Sequence, residues 1–227
     1  MKKLISLVLL FAVFSVHAGN NDIYVTQSGT GLTMNIDQIG GTNKVGTSQT
    51  RATFTGTSMT VDIDQVGDSN TMAASVAQGN STSFTASTTG DSNTTTLALG
   101  ATGDVANTDF DYAATGDSNT VTFTQGADAT ATAGNQDIVI AGNSNDLNAK
   151  CEVVGCINNW DVDGDSNDID TTQTGNSDHS ITADVTGSTN NIDIDQTNST
   201  GGVSDVVVIT ATTSNATIDI DQCTSGC

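Results

Sequence analysis

The sequence predicts an all-β chain, a β-solenoid of stacked two-strand coils with about 22–27 residues per coil. Three observations predict it. A phrase recurs, apolar, any, apolar, any, Gln, any, Gly, any, any, Asn, in full at residues 34–43 and 61–70. The turn tetrad Gly-Asp-Ser-Asn returns at Gly67, Gly90, Gly116 and Gly164, with looser copies at Gly40, Gly142 and Gly187. Successive glycines therefore lie 27, 23, 26, 26, 22 and 23 residues apart, a period that marks a stacked repeat. Between the turns apolar and polar residues alternate with period 2, the pattern of a half-buried strand.

Taken in order, the chain opens Met1-Lys2-Lys3, runs through apolar residues to Ser15 and closes with Val16-His17-Ala18. A short basic region, an apolar core too short to span a bilayer and a small residue at the cut predict a signal peptide over residues 1–18, against the alternative of an N-terminal anchor. Residues 19–227 are then one repeat domain, expected to be secreted, extracellular or at the cell surface by way of the periplasm, with no membrane span in the mature chain.

The first strand is expected at Ile23-Tyr24-Val25-Thr26-Gln27. The same parity holds at Val121-Thr122-Phe123-Thr124-Gln125, Ile192-Asp193-Ile194-Asp195-Gln196 and Ile218-Asp219-Ile220-Asp221-Gln222. One face is Ile, Val, Phe and Gln, and the other is Asp and Thr. The Gly-x-x-Asn tetrad supplies a positive-φ Gly and side chains that bond their own backbone. Asn then restarts the inward parity, as in Asn70, Met72, Ala74, Val76 and Gln78, and a weaker turn follows at Gly79, Gly126 and Gly175.

Two strands cannot bury an apolar face alone, so successive repeats must stack, in roughly eight or nine coils on the glycine spacing. The inward amides predicted to form ladders are Gln27, Gln38, Asn43, Gln65, Asn70, Gln78, Asn93, Asn119, Gln125, Asn145, Asn167, Gln173, Asn190, Gln196 and Gln222. In the middle coils the Gln slot is Thr88, Ala114, Ile140, Val162 and Val185. Residues 148–159 interrupt the phrase and are expected to form a loop pinned by a disulfide.

Composition bounds the function. The chain carries 5 Lys plus Arg against 26 Asp plus Glu, and without Lys2 and Lys3 the balance is three against 26, a net −23. That surface repels nucleic acid, and no basic, aromatic-interleaved patch is present. Few aromatics and high charge also fit disorder, but regular alternation argues for a thin stacked core. Four cysteines in an oxidising compartment favour disulfides; of three connectivities the local one, Cys151 with Cys156 and Cys223 with Cys227, is expected. A zinc site is disfavoured by spacing, with no paired C-x-x-C and no histidine nearby.

Asp161, Asp163 and Asp165 flank Gly164 in a stretch that looks like a Ca²⁺ loop. The glycine is not at the sixth position, and the repeat turn already explains it, so a solvated acidic turn with diffuse cation binding along Asp rows competes with a specific site. No other cofactor is implied. His179 has no sequence partner for catalysis, and the Asp pairs recur as an outward face, so no enzyme is expected. Thr-x-Thr runs raise an ice-binding reading, but they lack a fixed place in each coil and threonine is a good strand residue. Trp160 shares parity with Val162 and is expected in the core.

The phrase Gln-x-Gly-x-x-Asn, with apolar residues two and four before Gln, resembles the curlin repeat of curli subunits, the secreted functional amyloids of bacterial biofilms. Gln38, Gly40 and Asn43, and Gln65, Gly67 and Asn70, match it in full; residues 90–93, 116–119 and 164–167 keep Gly-x-x-Asn without Gln. The chain differs from curli subunits in its cysteines, its acid content and a strand starting at Ile23. The resemblance implies a structural subunit that stacks end to end with itself or related fibre subunits and adheres to a cell or abiotic surface. A monomeric or capped solenoid acting as an adhesin or appendage component is the alternative.

Overall fold

The computed structural model describes residues 15–17, 20–40, 42–46, 51–67, 69–78, 81–90, 92–100, 109–116, 118–126, 135–152, 155–175, 179–198 and 205–224. All of their regular structure is strand. A partial first rung holds β1 (Ser15–His17), β2 (Asn20–Ile23) and β3 (Thr26–Ser28), and the next β4 (Thr33–Ile39), β5 (Thr42–Val45) and β6 (Ala52–Thr55). Then follow β7 (Thr60–Val66) with β8 (Ser69–Gln78), β9 (Ser83–Thr89) with β10 (Ser92–Leu99), and β11 (Asp109–Thr115) with β12 (Ser118–Gln125). Next come β13 (Asn135–Ala141) with β14 (Ser144–Cys151) and β15 (Ile157–Asp163) with β16 (Ser166–Gly175). The last rungs are single long strands, β17 (Ser180–Asn198) and β18 (Val206–Thr224).

Each strand pairs in parallel with its equivalent one rung away. On the first face β4, β7, β9, β11, β13, β15 and the first halves of β17 and β18 stack in that order. On the second β8, β10, β12, β14, β16 and the second halves of β17 and β18 do the same. The predicted β-solenoid is therefore the observed fold. Inward side chains form one continuous core, with Phe54, Phe84, Phe110 and Phe123 in file at centroid separations of 6.1, 5.8 and 4.7 Å. Such contacts fit the preferred spacing of aromatic pairs. Trp160 is buried in this core, as its parity predicts.

The glycine column has a cause beyond turn conformation. Gly40, Gly67 and Gly90 have φ of 153°, 157° and 159°, but no positive φ marks Gly116, Gly142, Gly164 or Gly187. What is common to Gly67 through Gly187 is that an added Cβ would collide with the carbonyl oxygen of the glycine one rung before. Rung-to-rung contact, and not φ alone, requires glycine there.

Residues 148–159 depart from the expected loop. Asn148 to Cys151 lie in β14 and Ile157 to Asn159 in β15, so the break is only the corner 152–156, closed by the Cys151–Cys156 disulfide with Cα atoms 6.4 Å apart. The phrase is disguised there by substitution, with Cys151 in register between Gln125 and Gln173. Cys223 is also disulfide-bonded, while Cys227 lies outside the described residues. Gly79 lies outside them as well; Gly126, φ 127°, ends β12 as a turn residue, but Gly175 continues β16 beside Asn198. The signal-peptide reading falls largely on residues 1–14, also outside the described set.

Candidate functional site

The chemistry of this molecule sits in its stacked amides and its two ends. Asn43, Asn70, Asn93, Asn119, Asn145, Asn167 and Asn190 share one column, all buried. Each amide from Asn70 to Asn167 donates to the Oδ1 of the next, at 2.9, 2.6, 3.1, 2.9 and 3.0 Å. Each also donates to a strand-end carbonyl of the next rung, which accepts the backbone N–H of the same tetrad's glycine as well. Thr115 O, for instance, takes Gly90 N–H at 2.9 Å and Asn93 Nδ2 at 3.2 Å. The Gly-x-x-Asn spacing thus aims two donors at one carbonyl, filling both of its lone pairs. Asn43 Nδ2 donates to Val66 O at 2.8 Å and to Gln38 O at 3.3 Å, while Asn70 Oδ1 is left without a donor.

Replacing Asn119 with Ala removes the acceptor for Asn93 and the side-chain donor to Ala141 O. The expected cost is about 1 to 3 kcal/mol per orphaned buried group, read as a lower denaturant midpoint. An unchanged midpoint would mean the ladder adds no stability.

Glutamine forms shorter runs. Gln65 Nε2 donates to Gln38 Oε1 at 2.7 Å on the first face, and on the second Gln196 donates to Gln173 at 2.7 Å and Gln222 to Gln196 at 2.6 Å. Gln125 is buried but stacks on Cys151, whose Sγ is 3.9 Å from its Oε1, and its Nε2 has no partner. Gln27 faces Phe54 in register, so it continues no Gln run within the chain. The register between β6 and β8 shifts after Phe54, so the backbone pairs Val76 with Phe54 and Gln78 with Thr55, and the Gln78 side chain lies outside the described set. Where Thr88 replaces Gln, the Tyr112 hydroxyl fills the gap, 2.8 Å from Thr88 Oγ1 and 2.6 Å from Thr95 Oγ1, and burial pushes its pKa up to about 12.

Gln136 and Asn158 are further inward amides, fully buried and stacked in register. The parity that places Ile138 and Ile140 inward also places Gln136 there. Both polar atoms of Gln136 lack partners. Gln136→Leu is therefore expected to stabilise the chain by about 1 kcal/mol in chemical denaturation, since an unpaired buried amide is a net cost. A loss of stability would count against that reading.

Asp161 and Asp163 are exposed on the outer face of β15 and Asp165 is exposed in the following turn. Among the described residues no group of three or more His, Cys, Asp or Glu side chains is arranged to hold a metal ion. Asp163 and Asp165 do line an open groove of about 660 Å³ over the turns at Gly116, Gly142, Gly164 and Gly187. His179 is buried beside the disulfide corner: its Nδ1 accepts Cys156 N–H at 3.3 Å, and its own backbone N–H donates to Asp205 Oδ1 at 3.0 Å. Among the described residues no helix is long and apolar enough to cross a membrane.

The ends differ from the middle. In β17 the inward Ile192 and Ile194 are 0% exposed, whereas their equivalents in β18, Ile218 and Ile220, are 44% and 40% exposed. Among the described residues nothing stacks beyond them. The slots for turn glycine and ladder asparagine are Thr213 and Ala216 in this last rung, and Asn190 Nδ2 is left without a partner. At the other end Ile23, Val25, Leu32 and Met34 are only partly buried against the core. No family model, curated protein or solved structure matches this chain.

Proposed function

We propose that this chain is a secreted structural subunit of a curli-like extracellular fibre or biofilm matrix, which self-assembles by stacking solenoids end to end and lends adhesion to cell or abiotic surfaces. The observation that carries the reading is the uncovered last rung, where Ile218 and Ile220 stand 44% and 40% exposed at positions that are fully buried one rung earlier. A 19-residue strand at the edge of the described stack is a template for another strand. In a lone protein such an edge is a liability; in a fibre it is the growing end. Covering each isoleucine recovers about 1 kcal/mol, a fraction of its full burial, and adds a ladder of backbone bonds. The curlin-like phrase supports the same reading, and related chains with the same rung register are the other fitting partners.

A capped solenoid adhesin is the second reading, favoured by the disulfide-bonded Cys223 in the final strand and by the loss of Gly and Asn at Thr213 and Ala216. Electron microscopy and fibre diffraction of the purified protein separate the two. Filaments with a meridional spacing near 4.7–4.8 Å are expected. A monodisperse monomer in every condition tried would replace the fibre with the capped adhesin.

A further inference from the structure

The two ends of the solenoid share a register on the second face. At the N-terminal end β2 and β3 pair, among the described residues, with β5 and β6 alone. The free edge there is the segment from Asn20 to Ser28. At the other end the free edge on the same face is the second half of β18. Both edges share a frame: Asn21 and Ala216 occupy the asparagine column, and Gln27 and Gln222 each follow six residues later in the glutamine column.

Resting on the fibre reading, we infer that the last rung of one copy docks on the first rung of a second copy of this chain, setting Ile218 on Ile23, Ile220 on Val25 and Gln222 on Gln27. The apolar pairs are already half prepared, since Ile23 and Val25 are partly buried and Ile218 and Ile220 are uncovered. The amide polarity matches as well. Gln196 and Gln222 each donate Nε2 to the preceding rung, which leaves Gln222 Oε1 as the acceptor at the open end. Gln27 Nε2 makes only a long, exposed contact of 3.5 Å to Ser28 O, so it is the donor such an acceptor calls for. Charge fits this register too. Inside the chain Asp219 and Asp221 stack on Asp193 and Asp195, but across the junction they meet Tyr24 and Thr26. Like charges directly opposed destabilise strand pairs, and this junction has none of them.

Cysteine pairing tests the register. Tyr24→Cys and Asp219→Cys, made in separate chains at outward, exposed positions, are mixed under mild oxidation. Adjacent strands bring the two within disulfide reach. Mixed 24–219 cross-links should exceed those of the offset pair, Tyr24→Cys with Asp221→Cys, by at least about tenfold. Filaments that cross-link equally at the offset position, or only between like variants, overturn the junction and leave the fibre reading intact. No self-association in any mixture overturns both. A second variant, Ile220→Arg, alters a side chain already 40% exposed and is expected to keep the monomer's melting temperature. Its filaments should elongate at least about tenfold more slowly, because an unpaired cation would be buried at the junction. Elongation at the parent rate would overturn the proposal.

Discussion

Gly90→Ala is expected to be among the most damaging single substitutions in this chain, lowering stability by about 3 to 5 kcal/mol. The added Cβ would overlap the carbonyl oxygen of Gly67 and stand 3.2 Å from Asn70 Nδ2. Neither neighbour is a flexible side-chain end free to swing away. The carbonyl is backbone, and the amide is tied to Thr89 O and Asn93 Oδ1. In a stack held together by nearest-neighbour contacts, prising two rungs apart also weakens the ladders on both faces. Gly29→Ala supplies the matched control. Its φ is +159°, the same as at Gly90, yet nothing lies within 4 Å of where its Cβ would stand. It carries the same conformational strain without the collision and is expected to cost about 1 kcal/mol. Denaturant midpoints of the two variants decide the point: equal losses would make backbone conformation, and not rung-to-rung contact, the reason for glycine.

That contrast shows how far the sequence could be read. The period and parity reached the stacking direction, the inward face and the Cys151–Cys156 pairing, because each depends on local spacing. Glycine at every turn was legible as a requirement, but its cause was not, since the atom it avoids belongs to a residue more than twenty positions away. Gln78 follows the parity of Asn70 and Met72, but the backbone register to the facing strand shifts before it is reached. A bulge after Val76 breaks the count, and a bulge depends on the facing strand β6, which sequence alone does not supply. Tyr112 shows the converse. Its hydroxyl meets Thr88 and, from the opposite face, Thr95, a pairing across the core that the spacing along one strand does not reveal. Asp161 and Asp163 alternate outward along β15 and Asp165 follows in the turn, a placement that period-2 parity already predicts.

The outward face governs how the molecule responds to its solution. Asp62, Asp111, Asp146 and Asp193 all have pKa values above the ordinary 3.8, first from partial desolvation and then from neighbouring carboxylates. For Asp193 those neighbours include Asp195, Asp170, Asp219 and Asp221, in its own rung and the rungs on either side. A carboxyl with a raised folded-state pKa holds its proton more tightly when folded, so stability increases as pH falls through that value and is lost as pH rises through it from about 3.8. The fold should therefore be more stable below about pH 3.8 than at pH 7, the reverse of a protein whose carboxylates are held in ion pairs. Only two ion pairs relieve the face among the described residues, Lys44 with Asp22 at 3.9 Å and Lys150 with Glu152 at 2.7 Å, all four side chains more than two-fifths exposed. Bringing two such chains together adds like-charge repulsion over a Debye length of about 8 to 10 Å at moderate salt. Assembly is expected to be slow at neutral pH and low ionic strength, and about tenfold faster or more with raised salt, with millimolar Ca²⁺, or near the sequence pI of about 4.1. Mg²⁺ should act as well as Ca²⁺, because the divalent ion serves as a counter-charge along the Asp rows and not as a ligand in a formed site. A thioflavin time course across these conditions, with microscopy at each endpoint, measures it. Equal rates throughout would remove charge as the control, and acceleration by Ca²⁺ but not Mg²⁺ would point to specific coordination in the assembled state.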